Sequence, residues 1–440
     1  MQYSQDYNFH NSGVSMSFDK KVAILGGSRI PFVKLQTNYL GKSNQDLLTT
    51  VVEDLVQKKN LKGKLLGDLI AGVVMNHPFD WNLSREVVLG TALAPETPGL
   101  NIQRACGTGL EAANLIALKI AAGQIQSGIA GGSDTNSDIP LVGQRKLTHF
   151  LIRLQNAKTI PEKLSVILLH FKLNLLKPQL PVVREPRTGL SMGEHCELMV
   201  KEWKVTRQEQ DLIAFHSHQN AAKAYDEGFF DDLICEMDSL KRDTITRKDT
   251  TLEKLAKLKP AFDRSEKGTL TAGNSTPLTD GASAVLLASP EWAKENNHEI
   301  LAYFADCEVA AVDFVHGAGL LMAPTIAVAN LLKRNKLSLQ DFDYFEIHEA
   351  FAGQVACTLK AWESTEYCKK VLGLEKPLGS IDLAKMNVKG GSLALGHPFA
   401  ATGGRLVASA AKILKQKGSG RILISICTAG GMGVAAIVEK

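Results

Sequence analysis

Residues 421–433 read RILISICTAGGMG. A short, mostly apolar run enters a cysteine, and the cysteine enters a glycine-rich turn. Runs of this length and hydropathy are buried strands of α/β sheets. Such sheets hold ligands outside the carboxyl ends of their strands, where glycines leave room. The pattern has a weaker counterpart upstream, IAGGSD within SGIAGGSD (127–134).

Each of these stretches follows a helical pattern, GTGLEAANLIALKIAAGQ (107–124) in the first case and AATGGRLVASAAKILKQKG (400–418) in the second. Further out, KVAILGGSRIPF (21–32) and LIAGVVMN (69–76) read as strands around the helical SNQDLLTTVVEDLVQKKN (43–60), with Ser43 or Asn44 as N-cap. The last third repeats the order. EILAYFADCEVAAVD (299–313) and FDYFEIHEAF (342–351) are strand-like around the helical APTIAVANLLKRNK (323–336), and RILISIC is the closing strand. This alternation predicts an α/β fold of two similar halves with mainly parallel sheets covered on both faces. The halves span 20–140, continuing at about 190–296, and 297–440. Residues 1–19 are polar, fit neither a signal nor a transit peptide, and read as a flexible extension.

Between the halves, 141–189 reads as an inserted loop domain. Residues 145–181 carry seven Lys/Arg and one acid, Glu162. Within them KLSVILLHFKLNLLK (163–177) is expected to form one amphipathic helix. Lys163, His170, Asn174 and Lys177 lie on one stripe and Leu164, Ile167, Leu168, Phe171 and Leu175 on another.

Composition excludes several classes. The chain is 45% apolar and 22% charged, ordinary for a globular protein. Lys plus Arg number 50 against 46 Asp plus Glu, and no zinc-finger spacing or basic aromatic stripe points to nucleic acid. No apolar run is long enough to cross a membrane. Seven cysteines without a CxxC pair favour a reducing, cytoplasmic setting, each thiol standing alone.

Four side chains stand where chemistry is expected. Cys106, in NIQRACGTGLEAANL, is expected in the first turn of a helix, whose dipole would lower its pKa. Gly107 and Gly109 beside it would admit a substrate. His348 and Glu349 follow an apolar strand. His397 lies in NVKGGSLALGHPFAATGGR, whose glycines are hard to justify by packing alone and whose sequence lacks both phosphate-loop patterns. Cys427 ends the closing strand. Two thiols and two histidines suit acyl transfer between thioesters: one cysteine takes the acyl group, a histidine makes its thiolate, and the second thiol, with a pKa near 8.5, moves a proton.

Taken with GLSMGEHCE (189–197), GTLTAGNSTPLTDGAS (268–283), HEAFA (348–352) and CTAGGMG (427–433), these motifs resemble the thiolase family, collinearly over about 20–440. The resemblance implies duplicated α/β halves in a layered α-β-α-β-α core. It implies Cys106 as nucleophile and His397 as its base. Cys427 would protonate the acetyl-CoA enolate and deprotonate CoA. His348 would help hold the thioester oxygen, where other thiolases use Asn in NEAFA. The HEAFA form resembles the branch that includes β subunits of fatty-acid oxidation complexes. Backbone N–H groups of Cys106 and of the 427–431 turn, with Gly430 and Gly431, would face the other oxyanion. Where most thiolases have Gly two residues past the second cysteine, this chain has Ala429, whose N–H donates equally. Met192 would line the pocket and Thr276 would touch pantetheine.

The expected activity is thiolysis of 3-ketoacyl-CoA in β-oxidation, with CoA as a substrate and neither cofactor nor metal. The nearest alternative is the reverse, biosynthetic Claisen condensation. Decarboxylating relatives lack the second thiol, so Cys427 argues against them. A non-catalytic acyl-CoA-binding protein would have lost one of the four residues, and a redox sensor would form a 106–427 disulfide. The resemblance also implies a homodimer or homotetramer, an α subunit with hydratase and dehydrogenase activity, and a peripheral membrane contact through 145–181.

Overall fold

The computed structural model describes residues 20–179 and 183–440. The extension expected over 1–19 lies outside the described residues. Ten strands form one mixed sheet: β1 Val22–Arg29, β2 Val33–Lys34, β3 Asp68–Ala71, β4 Gly99–Asn101, β5 Ser127–Asp134, β6 Thr279–Ala288, β7 Ala302–Ala311, β8 Tyr344–Ile347, β9 Arg421–Thr428 and β10 Met432–Glu439. Their order is β4-β3-β5-β6-β1-β7-β10-β9-β8, with β2 beside β6.

This order is symmetric about the β1–β7 pairing. Outward from the junction, each half has two antiparallel neighbours and then a parallel one, β1-β6-β5-β3 on one side and β7-β10-β9-β8 on the other. The sheets were expected to be mainly parallel, and they are mostly antiparallel. The difference lies in β6 and β10, neither of which the alternating reading anticipated. A three-residue turn, Ala429–Gly431, joins β9 to β10 and forces them antiparallel.

Side chains alternate along the strands into separate cores. On β1, Val22 and Ile24 face a central cluster and Ala23 and Leu25 an outer one. The central cluster is built around two helices, Thr108–Ala121 and Ala401–Lys417, which cross each other between the half-sheets. The helix Asn44–Lys58 covers the far face of the first half, and Ala323–Asn335 with Ala352–Glu363 that of the second. Helix, sheet, helix, sheet and helix follow in layers, as expected.

Glycines set the closeness of the central crossing. A Cβ on Gly403 would overlap the Leu110 backbone, and one on Gly109 the Ala400 carbonyl. Gly109 thus serves packing and does not open a path to substrate. Gly107 faces Val434, Gly390 packs on Ala221, and Gly391 on Glu349. The glycines flanking His397 are largely packing glycines, contrary to the expectation from sequence.

The insertion also differs. The expected 163–177 helix spans Ile160–His170, capped by Thr159 and Glu162, and stops at Phe171, whose backbone is extended. A 3-10 turn, Leu173–Leu176, follows. Phe171 folds back to pack on Phe150 of a preceding helix, Arg145–Asn156, with ring centroids 5.5 Å apart. Gln144 binds the carbonyls of Asn174 and Lys177, so these residues do not extend the stripe.

Candidate functional site

Cys106 precedes its helix instead of sitting in the first turn: Gly107 is the N-cap and Thr108 the first helical residue. Thr108 builds the bend. Its hydroxyl accepts from the Arg104 N–H at 2.9 Å and donates to the Ala105 carbonyl at 2.7 Å. Ala105 is held at φ +44°, a left-handed conformation that non-glycine residues rarely adopt and that recurs at functional sites. The N–H groups of Ala429 and of Cys106 itself are aimed at the Cys106 sulfur. Even so, burial pushes that thiol up to about 12, with a smaller contribution from Asp134. Desolvation outweighs the donors, and the expected lowering does not occur.

Cys427 is next to last in β9, with the Ala350 N–H directed at its sulfur. Its thiol lies well above the ordinary range, through burial first and the neighbouring Cys106 second, and not near 8.5 as expected. All seven cysteines are free thiols.

His348 directly follows β8, and its N–H binds the Ser425 carbonyl of β9 at 2.8 Å. This rung sets His348 beside the strand end that bears Cys427. His397 is held by Thr279 Oγ1 on its N–H at 2.8 Å and by Thr402 Oγ1 at its Nδ1 at 2.6 Å. Thr402 immediately precedes Gly403, which touches the Cys106 helix at Leu110, so the helix crossing ties the His397 loop to the Cys106 bend. The two imidazoles stand 4.0 Å apart between centroids. Each Nε2 is buried without a protein partner. Burial lowers His397 to about 3 and, with His397 and Arg405 adding, His348 well below its ordinary value. Both rings are neutral at pH 7. The fold therefore collects two protonated thiols and two neutral imidazoles, a set suited to moving protons without a standing charge.

Thr276 binds the Ala350 carbonyl through its N–H and its hydroxyl, both at 3.0 Å. It thus steadies the loop whose Ala350 N–H faces Cys427. Gly430 and Gly431, at φ +74° and +69°, make the turn after Cys427. Met192 begins the helix Met192–Glu202 and packs on the cluster that contains Cys427.

Sequence reasoning missed four supporting residues. Ser392 Oγ pairs with His348 Nδ1 at 2.7 Å, and Arg405 Nη2 donates to Ser392 Oγ at 2.9 Å. Thr402 holds His397. Glu185, from the insertion, accepts the Gly430 N–H at 2.8 Å. Thr402 had a local signal, its spacing from His397, and Ser392 and Arg405 share the glycine-rich stretch around it; what joins Ser392 to His348 and Glu185 to Gly430 is the fold, across 44 and 245 residues of chain. Among the described residues no cluster of His, Cys, Asp and Glu has the grouping of a metal site, and no helix is long and apolar enough to cross a membrane.

Comparison with known proteins adds the following. The family model for the thiolase N-terminal domain matches residues 22–291, and that for the thiolase C-terminal domain residues 298–440. A 3-ketoacyl-CoA thiolase of Shewanella sp. (strain W3-18-1) is 40% identical over 426 residues, 96% of this chain and 97% of that protein. A 3-ketoacyl-CoA thiolase of Yersinia enterocolitica is 38% identical, covering 95% and 97%. The crystal structure of human mitochondrial 3-ketoacyl-CoA thiolase in complex with CoA superposes with a TM-score of 0.80 at 27% identity, covering 97% of this chain and 99% of that one. The Bacillus anthracis acetyl-CoA acetyltransferase gives 0.79 at 29% identity, covering 96% and 98%.

Proposed function

The chain belongs to the thiolase family, and we propose that within it the protein is a 3-ketoacyl-CoA thiolase acting in fatty-acid β-oxidation. The observation that carries this is the placement of the two buried histidine rings, 4.0 Å apart, beside the end of β9 that bears the buried thiol Cys427, whose neighbour is Cys106.

The steps follow from the protonation states of these four groups. Cys106 gives its proton to His397 Nε2 as its sulfur attacks the C3 carbonyl. The N–H groups of Cys106 and Ala429 receive the oxyanion. The C2–C3 bond breaks, leaving the shortened acyl group on Cys106 and an acetyl-CoA enolate. His348 holds the enolate's thioester oxygen while Cys427 protonates its carbon. CoA enters and gives its thiol proton to the Cys427 thiolate. Its sulfur attacks the acyl-cysteine, and departing Cys106 recovers a proton from His397. CoA is a substrate, and no cofactor enters the sequence. The test is a thiolysis assay on 3-ketoacyl-CoAs from C4 to C16 with mass spectrometry of the trapped enzyme. An acyl adduct on Cys106 is expected. An adduct on another cysteine alone overturns the assignment.

A homodimer or homotetramer is supported by β4, an edge strand with exposed Leu100 beside exposed Phe79, Trp81 and Leu89. Residues 141–189 form a loop domain on this reading. Its helix Ile160–His170 has no buried residue, which argues against the alternative of an internal packing helix over the pocket. Its exposed leucines and lysines suit the surface of an anionic membrane on which a cytoplasmic enzyme docks peripherally. Contact with an α subunit is the other reading of this surface.

A further inference from the structure

We infer that Arg405 sets the tautomer of His348: acting through Ser392, it makes that ring a hydrogen-bond donor at Nε2 and leaves His397 as the base of the pair. The inference rests on the reading of His348 as the group that holds the thioester oxygen.

Ser392 Oγ has two side-chain partners, Arg405 Nη2 at 2.9 Å and His348 Nδ1 at 2.7 Å. A guanidinium has only protons to offer. Arg405 keeps its charge although fully buried, its pKa falling only to about 10, with Glu346 and Glu349 nearby. The serine oxygen therefore accepts from Arg405. The hydroxyl's single proton then has one acceptor among these partners, His348 Nδ1; were Ser392 to accept from an Nδ1–H as well, that buried proton would be left without a side-chain partner. A neutral imidazole that accepts at Nδ1 carries its proton on Nε2. That Nε2–H is buried and has no protein partner, so it is free to meet a substrate oxygen.

His397 is held differently. Its Nδ1 meets Thr402 Oγ1 at 2.6 Å, and among the described residues no arginine donates to that hydroxyl. Thr402 can accept the Nδ1 proton, which leaves the His397 Nε2 lone pair bare. The ring centroids are 4.0 Å apart; with His348 fixed as a donor, the Thr402 hydroxyl leaves His397 able to offer an acceptor at Nε2 beside it. Without the arginine, both rings would be held by a lone hydroxyl and nothing would distinguish them. Arg405 touches neither substrate nor reacting atoms. It is a positioning residue, acting through the serine.

The test uses full-length protein labelled with [15N]histidine and long-range 1H–15N correlation spectra at pH 7.5, the His348 signals being identified by their loss in His348→Asn. In the parent protein we expect His348 protonated at Nε2 and bare at Nδ1. In Ser392→Ala and Arg405→Met its nitrogen shifts move toward those of a two-tautomer mixture. With the donor no longer fixed, kcat falls roughly ten- to a hundredfold at nearly constant KM, less than the ~10²–10³ of deleting an oxyanion donor outright. Arg405→Lys, which keeps a cationic donor, recovers part of the loss. If Arg405→Met fails to fold, the parent spectrum and Ser392→Ala still decide. A His348 protonated at Nδ1 in the parent, or Ser392→Ala spectra identical to the parent's, overturns the inference. If the tautomer is as stated and kcat does not respond, the tautomer stands and the thioester-oxygen role of His348 falls.

Discussion

His348 and His397 stand with ring centroids 4.0 Å apart, each neutral and each with a buried Nε2 that no protein group satisfies. The roles proposed for them are unequal, so their substitutions should separate. His397→Ala removes the base for Cys106, and acyl-enzyme formation should fall by roughly 10³-fold or more. His348→Asn keeps a donor near the same place and should lose about tenfold, whereas His348→Ala should lose ~10²–10³. Single-turnover acylation measured by mass spectrometry reads both. Equal losses for His397→Ala and His348→Asn would remove the division of labour.

The two thiols should separate as well. Cys106→Ser should abolish the covalent intermediate. Cys427→Ala should still take an acyl group from a simple acyl-CoA but lose deuterium exchange at the acetyl-CoA methyl group, because carbon proton transfer is the task proposed for it. Undiminished exchange in Cys427→Ala would show that another group is the base.

Acid stability gives a test independent of turnover. His397 is lowered to about 3 in the fold and titrates near 6.5 when unfolded. Between those values the unfolded chain binds the extra proton, so stability is full above about pH 6.5 and declines as pH falls. At pH 5 one such histidine costs on the order of 2 kcal/mol. His397→Asn should therefore lose less stability than the parent between pH 7.5 and 5, read from urea midpoints. Comparing the two proteins cancels groups that His397 does not influence, including Glu346, whose carboxyl burial raises to about 8 and which acts in the opposite direction; His348, lowered first by its own burial, stays neutral in both. Equal losses would mean that His397 titrates normally.

Two glycines near the site should respond in different ways. A Cβ on Gly403 meets the Leu110 backbone, where neither helix has slack. Gly403→Ala should cost about 1–3 kcal/mol or more and depress acylation, since it moves Thr402 relative to the Cys106 bend. Gly430→Ala meets only Met432 Cε at 3.6 Å, and its penalty comes from φ +74° alone, about 1 kcal/mol. Urea midpoints rank them, and a larger loss for Gly430→Ala would contradict the packing account.

Much of this arrangement was legible in the chain, and the omissions have physical reasons. Strong periodicity marks the helices Asn44–Lys58, Thr108–Ala121 and Ala401–Lys417, and the SGIAGGSD strand matches residue for residue. The strands β6 and β10 are rich in alanine and valine and buried on both faces, so they lack the alternation that marks a half-buried strand. Missing them made the sheet seem parallel. Sequence patterns also find residue types, not their desolvation. Cys427 was placed correctly at a strand end, and Cys106 was put in the first turn of a helix that it in fact precedes; the burial that raises both thiols comes from elements far away in sequence. Arg405 read as one cation of a helix, and only the fold brings its guanidinium to Ser392 and thence to His348.

The last prediction concerns the insertion. Its helix Ile160–His170 leaves Ile160 79% and Leu168 77% exposed, with Leu164 and Leu169 also in solvent. Lys163, Lys172 and Lys177 are exposed around them, while His170 is engaged by Arg153 Nη1 at 2.9 Å. An apolar face this open is uncommon on a monomer and marks a surface that something covers. Against anionic lipid, each lysine near the headgroups contributes on the order of 1 kcal/mol, and leucines at the headgroup boundary add burial. Lys172 lies in the extended link after the helix, so its stem can reach headgroups without crossing the apolar stripe. Flotation with anionic vesicles at low salt should carry the parent protein upward, physiological salt should weaken it, and neutral vesicles should not replace it. Changing Lys163, Lys172 and Lys177 together to Glu should abolish flotation without altering thiolysis of a short, soluble substrate. If the parent never floats, or the triple variant floats equally, the lipid reading fails. A mass above 48 kDa that depends on Leu164 and Leu168 would then assign the face to a second copy of this chain, and co-migration with a hydratase/dehydrogenase subunit would assign it to that partner.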